Sequence, residues 1–188
     1  MKKLAVFFPG IRYSSECPLL YFAQKECRRA GYELLPLYYS FRQGDELPED
    51  FRYETFVENT IPQICRELTG ASVRDYDEVL FVSKSIGTVL AGLAEQQLAL
   101  QPKQFLLTPV PAALPMMEPM TGRAAAVLGT NDANMEPDRL TDFCEKNQIP
   151  LRLYPNVGHR LEAEDTEETF RILTNILDFL HIFISTTL

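Results

Sequence analysis

The sequence has 188 residues, 46% of them hydrophobic, and a formal net charge of −8. This length predicts one domain over residues 1–188, with roughly 70% of the unfolded surface buried on folding. The negative charge argues against nucleic acid or an anionic membrane surface as the main partner. The sequence holds only two histidines, which excludes a multi-histidine metal site and argues against zinc. We therefore expect no metal.

The cysteines and the apolar segments indicate the compartment. Four cysteines are scattered along the chain without a C-x-x-C pair, which is typical of reduced thiols in a cytosolic protein. The apolar run 4–8 is too short for the core of a signal peptide. No stretch approaches the roughly 18 apolar residues of a membrane span. We expect a cytoplasmic protein.

The first half of the chain alternates short apolar runs with longer helical patterns. Apolar runs of this length, bounded by Gly, Pro or polar residues, predict buried strands, and apolar residues at helical spacing predict helices. The predicted elements are strand 4–8, helix 18–30, strand 32–39, a polar loop over 41–52, helix 53–68 with a bend at Pro62, strand 78–83 and helix 86–100.

The second half continues the alternation after one unusual segment. Residues 109–120 (PVPAALPMMEPM) hold four of the 13 prolines and predict an irregular loop over the sheet edge. The remaining predicted elements are strands 103–108, 124–129 and 150–155 and helices 136–146 and 166–184. Strands separated by helices predict an α/β fold: a three-layer, doubly wound, mostly parallel six-stranded sheet with helices on both faces.

Chemically useful residues follow four of the predicted strands. In a parallel sheet, ligands bind at the carboxyl ends of the strands, so these four loops are expected to converge. The loops are PGIRYS (9–14), SKSIGT (83–88), GTND (129–132) and NVGHR (156–160). Together they supply Ser85, Asp132 and His159, in that chain order.

Each of these residue types suits one step of nucleophilic catalysis. Ser85 is predicted to sit at the apex of a tight strand-to-helix turn, with the small residues Ser83 and Gly87 two positions away on either side. A serine hydroxyl becomes a nucleophile only when a base takes its proton, and His159 is the candidate base. Asp132 is the candidate partner that orients the imidazole and stabilises its protonated form.

Backbone N–H groups near Ser85 are the candidate oxyanion donors. A helix that starts at Ile86 directs unsatisfied N–H groups toward the turn. The turn Gly10-Ile11-Arg12 is expected to supply the second donor, from Ile11 or Arg12. Loss of one such donor costs on the order of 3 kcal/mol of transition-state stabilisation.

These motifs resemble the α/β-hydrolase superfamily over nearly the whole chain. SKSIGT is similar to the nucleophile elbow Gly-x-Ser-x-Gly with Ser83 in place of the first glycine, and Pro9-Gly10 stands where the oxyanion loop usually has His-Gly. The resemblance implies a small serine esterase-like or thioesterase-like member without a cap domain or the first antiparallel strands. It also implies hydrolysis of a small ester or thioester through an acyl-enzyme, without a cofactor.

Each residue taken alone has a simpler interpretation. Ser85 alone is typical of a helix N-cap, and Ser83 is a rival nucleophile. Asp132 alone can cap the helix over 136–146. Asp138 is a weaker candidate for the carboxylate that orients His159, because it lies too far into that helix. His159 alone is typical of a solvated loop, and His181, within an apolar helix, is expected to be structural.

Substrate recognition is less well determined by the sequence. Arg12, Tyr13, Lys84 and Arg160 lie beside the predicted site, where they either bind an acidic or polar acyl group or are solvated surface groups. The three methionines of the segment 109–120 either line a flexible apolar pocket or pack beneath a loop. No phosphate-binding G-x-x-x-x-G-K-[ST] or dinucleotide-binding G-x-G-x-x-G motif is present, so no nucleotide cofactor is expected.

Three hypotheses of different classes remain at this point. The first is a serine hydrolase for a small-molecule acyl substrate. The second is a hydrolase-fold protein that binds a ligand or partner without turnover, which the atypical Pro9-Gly10 turn favours. The third is a general α/β binding domain in which the three residues meet by accident. Fold alone does not choose among esters, thioesters, amides and lactones, and the sequence leaves the oligomeric state open.

Overall fold

The computed structural model describes residues 1–39, 41 and 45–186, and its centre is a six-stranded sheet. All five strand pairings are parallel, which confirms the predicted architecture. The strands are β1 (Lys3–Phe8), β2 (Glu33–Pro36), β3 (Glu78–Lys84), β4 (Lys103–Leu107), β5 (Ala124–Gly129) and β6 (Leu151–Tyr154).

The order of the strands creates a switch point beside β1. The order is β2-β1-β3-β4-β5-β6, so the chain first adds β2 on one side of β1 and then continues with β3 on the other side. The connections that leave β1 and β3 therefore diverge, and a crevice opens between them at their carboxyl ends. In open α/β sheets this crevice is the usual place for a ligand site.

Six helices and three short 3₁₀ turns lie in the described part of the chain. The helices are α1 (Pro18–Arg29), α2 (Tyr53–Gly70), α3 (Ile86–Gln97), α4 (Leu114–Met117), α5 (Pro137–Lys146) and α6 (Thr166–Ser185). All predicted helices are present within three residues at either end. Pro62 lies inside α2. Part of the predicted loop 41–52, namely residues 42–44, lies outside the described residues.

The side chains of the strands alternate between two apolar layers, as the period of two along a strand requires. On one face Phe7, Val82 and Phe105 pack with α1 and α6. On the other face Val6 and Phe81 belong to the layer formed with α2 and α3. Both faces of the sheet are therefore covered, which explains the continuous apolar runs of the strands.

The proline-rich segment corrects one prediction. Residues 109–120 were expected to lack regular structure, but they form a 3₁₀ turn (Pro111–Ala113), the one-turn helix α4 and a second 3₁₀ turn (Glu118–Met120). Each turn has proline in its first two positions, where the missing N–H has no helical partner to lose. The prolines thus start short turns instead of preventing them.

Two expectations about the sequence as a whole can be placed against the structure. In residues 1–39, 41 and 45–186 no helix has the length and apolar character needed to cross a bilayer. The same residues hold no cluster of three or more potential metal-ligating side chains. The single domain and the cytoplasmic location stay predictions.

Candidate active site

Ser85 lies at the sharp turn between β3 and α3. Its backbone has φ 56° and ψ −124°, a conformation that non-glycine residues rarely adopt and that costs about 1–3 kcal/mol. The Ser85 N–H donates a hydrogen bond to the Leu107 carbonyl (3.0 Å), and the Ser85 carbonyl accepts one from the Thr88 N–H (2.9 Å). The turn is held from both sides, so the strained conformation is fixed and the hydroxyl projects from the apex.

Two glycines allow the loops to approach each other at this turn. A Cβ on Gly87 would lie 2.3 Å from the Phe8 carbonyl oxygen, and a Cβ on Gly10 would lie 3.1 Å from the Cβ of Ser85. The end of β1 therefore packs directly against the start of α3. Ser83, which occupies the place of the first glycine in the usual elbow, is fully buried within β3.

Ser85, His159 and Asp132 form a continuous chain of hydrogen bonds. Nε2 of His159 lies 2.7 Å from Oγ of Ser85, and Nδ1 lies 2.8 Å and 3.0 Å from the two carboxylate oxygens of Asp132. Because an ionised carboxylate only accepts, Nδ1 carries the proton and Nε2 accepts from the serine hydroxyl. This is the tautomer that a general base requires.

Asp132 is held in place by a second hydrogen bond besides those to His159. The Asn134 N–H donates to Oδ1 of Asp132 at 2.8 Å, and the Asp132 side chain has no exposed surface. Another close approach brings the acid loop to the base loop: a Cβ on Gly129 would lie 2.2 Å from the Val157 carbonyl oxygen. The imidazole of His159 is 24% exposed, so it can reach both the buried carboxylate and the solvent side of the site.

Two sets of amide groups are placed to act as oxyanion donors. The Ile86 N–H lies in the first turn of α3, where no intrahelical acceptor exists. In the turn after β1, Gly10 and Tyr13 bond to each other in both directions (3.1 and 3.2 Å). Ile11 and Arg12 are the two residues between them, and Arg12 has φ 57°.

A cavity of about 510 Å³ opens beside Ser85. Ser85 and His159 form part of its wall. Three other sequence-based candidates, Ile11, Arg12 and Ile86, also line the cavity. Asp132 does not line it and contacts Nδ1 of His159. The remaining lining residues, which the sequence analysis did not identify, are Leu47, Tyr53, Val110, Pro111, Ala112 and Asn134.

Tyr13 and Lys84, which were expected either to bind substrate or to be solvated, are buried and do not line this cavity. Tyr13 is 4% exposed and its hydroxyl accepts a hydrogen bond from the Leu19 N–H (3.1 Å). Lys84 is 1% exposed. Tyr13 belongs to the apolar layer between the sheet and helices α1 and α6. Residue 84 lies on the face of β3 that packs against the same layer.

The remaining candidates lie away from the cavity. Arg160 pairs with Glu162 through its Nε (2.8 Å), and this pairing raises the pKa of its guanidinium. His181 bonds to Glu26 at the surface (2.8 Å). The methionines pack against the fold: Met117 and Met120 are buried in the apolar layer on α3, and none of the segment's three methionines is among the residues that line the cavity.

Comparison with solved structures places this architecture among known folds. Est1E from Butyrivibrio proteoclasticus superposes with a TM-score of 0.66 and 13% identity, over 98% of this chain and 89% of that one. A serine hydrolase without a lid from Xanthomonas campestris superposes with a TM-score of 0.63 and 14% identity, over 97% of this chain and 81% of that one. The chain has the α/β-hydrolase fold.

A third similar structure is an alpha-beta serine hydrolase homologue from Coxiella burnetii, with a TM-score of 0.61 and 10% identity over 95% of this chain and 85% of that one. The match to this hydrolase fold is therefore nearly complete in length, although the sequence identity is low. No protein-family model matches the sequence, and no curated protein matches it.

Proposed function

We propose that this protein is a serine hydrolase that cleaves a small ester or thioester through an acyl-enzyme. The observation that carries the proposal is the hydrogen-bonded chain from Asp132 through His159 to Ser85, with the serine at the wall of a cavity. Chains of this kind at the carboxyl edge of the sheet are how the fold activates a serine.

The first half of the reaction forms the acyl-enzyme. Oγ of Ser85 attacks the carbonyl carbon of the substrate while Nε2 of His159 takes the hydroxyl proton. Asp132 stabilises the resulting imidazolium. The oxyanion is held by the Ile86 N–H and by an N–H of Ile11 or Arg12. When the tetrahedral intermediate collapses, His159 gives its proton to the departing alcohol or thiol.

The second half returns the free enzyme. Water attacks the acyl carbon, His159 takes a proton from that water, and a second tetrahedral intermediate forms with its oxyanion in the same place. Collapse of this intermediate releases the carboxylic acid, and the proton on Nε2 returns to Oγ of Ser85. The cycle uses groups of the chain, the substrate and one water molecule.

The cavity suggests the size and polarity of the acyl group. Its volume of about 510 Å³ lies in the range of small-molecule pockets, and Val110, Pro111 and Ala112 give it an apolar side. Arg12 is the only charged side chain among the described residues that line it. A short aliphatic or single-ring acyl group fits this lining.

Turnover of a panel of esters tests the proposal. The panel contains short-chain p-nitrophenyl esters, the matching thioesters and methyl ferulate, because a structure of Est1E holds ferulic acid. We expect hydrolysis of at least one compound well above the rate of the Ser85→Ala variant. Binding of these compounds without turnover above that variant would favour the hypothesis of a non-catalytic binding protein.

A further inference from the structure

Lys84 is a buried lysine at the end of β3, directly before Ser85. It is the least exposed charged residue among those described, at 1%. The alternation along the strand places it on the same face as Leu80 and Val82, in the apolar layer under α1 and α6. Lys84 forms no ion pair within residues 1–39, 41 and 45–186. Burial of an amine without a carboxylate partner is costly, which suggests that the side chain has a specific role.

The contacts of Lys84 reach three of the loops that follow strands at this edge of the sheet. Its Nζ donates to the backbone carbonyl of His159 at 2.7 Å and to Oγ1 of Thr108, the residue after β4. The Nζ also lies 5.1 Å from the ring centroid of Tyr13, which closes the turn after β1. One side chain therefore connects the loops after β1, β4 and β6 to the residue that precedes Ser85.

The bond to His159 is the contact that matters most for chemistry. His159 belongs to an irregular loop in which Asn156 and Leu161 both have φ 60°. The bond from Lys84 holds the backbone of the base itself and links it to the neighbour of the nucleophile. A displacement of about 1 Å between base and nucleophile can cost about 100-fold in rate.

We propose that Lys84 is a positioning residue, which fixes the backbone of His159 and the turn containing Tyr13 so that the imidazole and the oxyanion donors stay in register with Ser85. This inference rests on the proposed hydrolase function. Lys84 itself contacts neither the cavity nor the reacting atoms, so its effect on catalysis passes through His159 and the turn after β1.

The positioning does not require a charged amine. Burial lowers the pKa of Lys84 to about 7, an effect that the negative charge of Asp132 partly opposes. A neutral amine still carries two hydrogens, which suffice for the carbonyl of His159 and the hydroxyl of Thr108. The proposed contacts therefore persist on both sides of neutral pH.

Two substitutions separate positioning from simple structural support. Lys84→Met keeps a flexible side chain of similar length and removes both hydrogen bonds. Thr108→Val is the matched control, because it removes the other partner of Nζ and leaves the bond to His159. The readouts are the rate constant of labelling by a fluorophosphonate, kcat and KM on an ester, and the melting temperature.

For Lys84→Met we expect labelling and kcat to fall by about 10- to 100-fold, with KM within about 2-fold and no loss of melting temperature. For Thr108→Val we expect labelling within about 3-fold of wild type. If Lys84→Met does not fold, Lys84→Gln serves in its place, with the same direction expected for labelling and kcat.

The outcomes distinguish this inference from the proposed function. Wild-type labelling that disappears in Ser85→Ala, together with wild-type rates in the Lys84 variant, would overturn the positioning role and leave the hydrolase proposal intact. A fall in rate matched by a similar fall in Thr108→Val, or by a lower melting temperature, would also overturn it. Wild-type protein that does not label would overturn both.

Discussion

The two ends of the parallel strands differ in whether their charged side chains form ion pairs. At the amino ends the charges are paired: Glu78, at the start of β3, lies 3.0 Å from the Nζ of Lys3 and 3.1 Å from that of Lys103. Arg123, just before β5, forms a two-pronged ion pair with Glu95 of α3. Such pairs hold strands and helices together and leave no group to react.

At the carboxyl ends the buried amine of Lys84 has no carboxylate partner in the part of the chain described, and Ser85 has a strained backbone. The carboxylate of Asp132 is paired with the imidazole of His159, whose other ring nitrogen contacts Ser85. The ion pairs at the amino ends therefore stabilise the fold, whereas the strained backbone and the buried amine at the carboxyl ends reduce its stability. Costs of this kind concentrate at functional sites.

The largest effect is expected for the nucleophile. Ser85→Ala removes the attacking oxygen, so kcat on the best ester should fall by about 10⁵-fold while the fold is retained. Ser83→Ala is the matched control, because Ser83 is buried in β3 and should be replaceable with activity within about 3-fold. Steady-state assays check both. Retention of activity in Ser85→Ala with loss in Ser83→Ala would assign the reaction to the rival serine.

The next largest effect is expected for Asp132, the carboxylate that orients His159. Asp132→Asn leaves the shape of the site and allows the wrong imidazole tautomer, so kcat should fall by about 10⁴-fold. Asp138→Asn, at an exposed position of α5, should leave kcat unchanged. Equal activity of the two variants in the same assay would remove Asp132 from the relay.

A substitution at the amino ends should have the opposite signature. Glu95→Ala leaves the partly buried guanidinium of Arg123 without its carboxylate partner and should lower the free energy of unfolding by about 3 kcal/mol. Denaturant titration measures this loss, and kcat of the folded variant should stay within about 2-fold. Glu168→Ala, which breaks an exposed pair with Arg171, should cost less than about 1 kcal/mol. A large loss of kcat in Glu95→Ala would contradict the separation of the two ends.

The smallest effect is a pH dependence of stability. The pKa of Lys84 is lowered from 10.5 to about 7, so between these values the unfolded state binds more protons than the folded state. The free energy of unfolding should therefore rise with pH, by up to about 1.4 kcal/mol per unit. Besides Asp132, the charged or titratable groups facing the amine are those of Arg160, Glu162, Cys17 and Tyr13.

Denaturant titrations of wild type and Lys84→Met at pH 6.5, 7.5 and 8.5 give the difference between their free energies of unfolding at each pH. The change of this difference with pH is the contribution of Lys84. Burial raises the pKa of the Cys27 and Cys144 thiols to about 12 and about 11, which opposes the rise at higher pH but is common to both proteins. The difference should grow in favour of wild type across this range. A constant difference would show that the amine does not lose its proton on folding.

The sequence predicted the strands well. Continuous apolar runs mark strands that are buried on both faces, and β5 has the predicted bounds, 124–129. The convergence of Ser85, Asp132 and His159 followed from parallel strands, because the carboxyl ends of such strands share one edge of the sheet.

The substrate-binding residues could not be predicted equally well. Lys84 and Tyr13 were selected because they neighbour site residues in the sequence, but adjacency does not say which face of the sheet a side chain occupies. Leu47 and Tyr53 line the cavity from a part of the chain with no motif. The short turns in 109–120 depend on packing of Met117 and Met120 against α3, which no local pattern reveals.

The most direct test of the central claim is to locate the adduct of a fluorophosphonate probe by peptide mass spectrometry, in wild type and in His159→Ala. The account predicts a single adduct on Oγ of Ser85 that forms at least about 100-fold more slowly when the imidazole is removed. An adduct on any other residue, or equally fast labelling of Ser85 without His159, would contradict it.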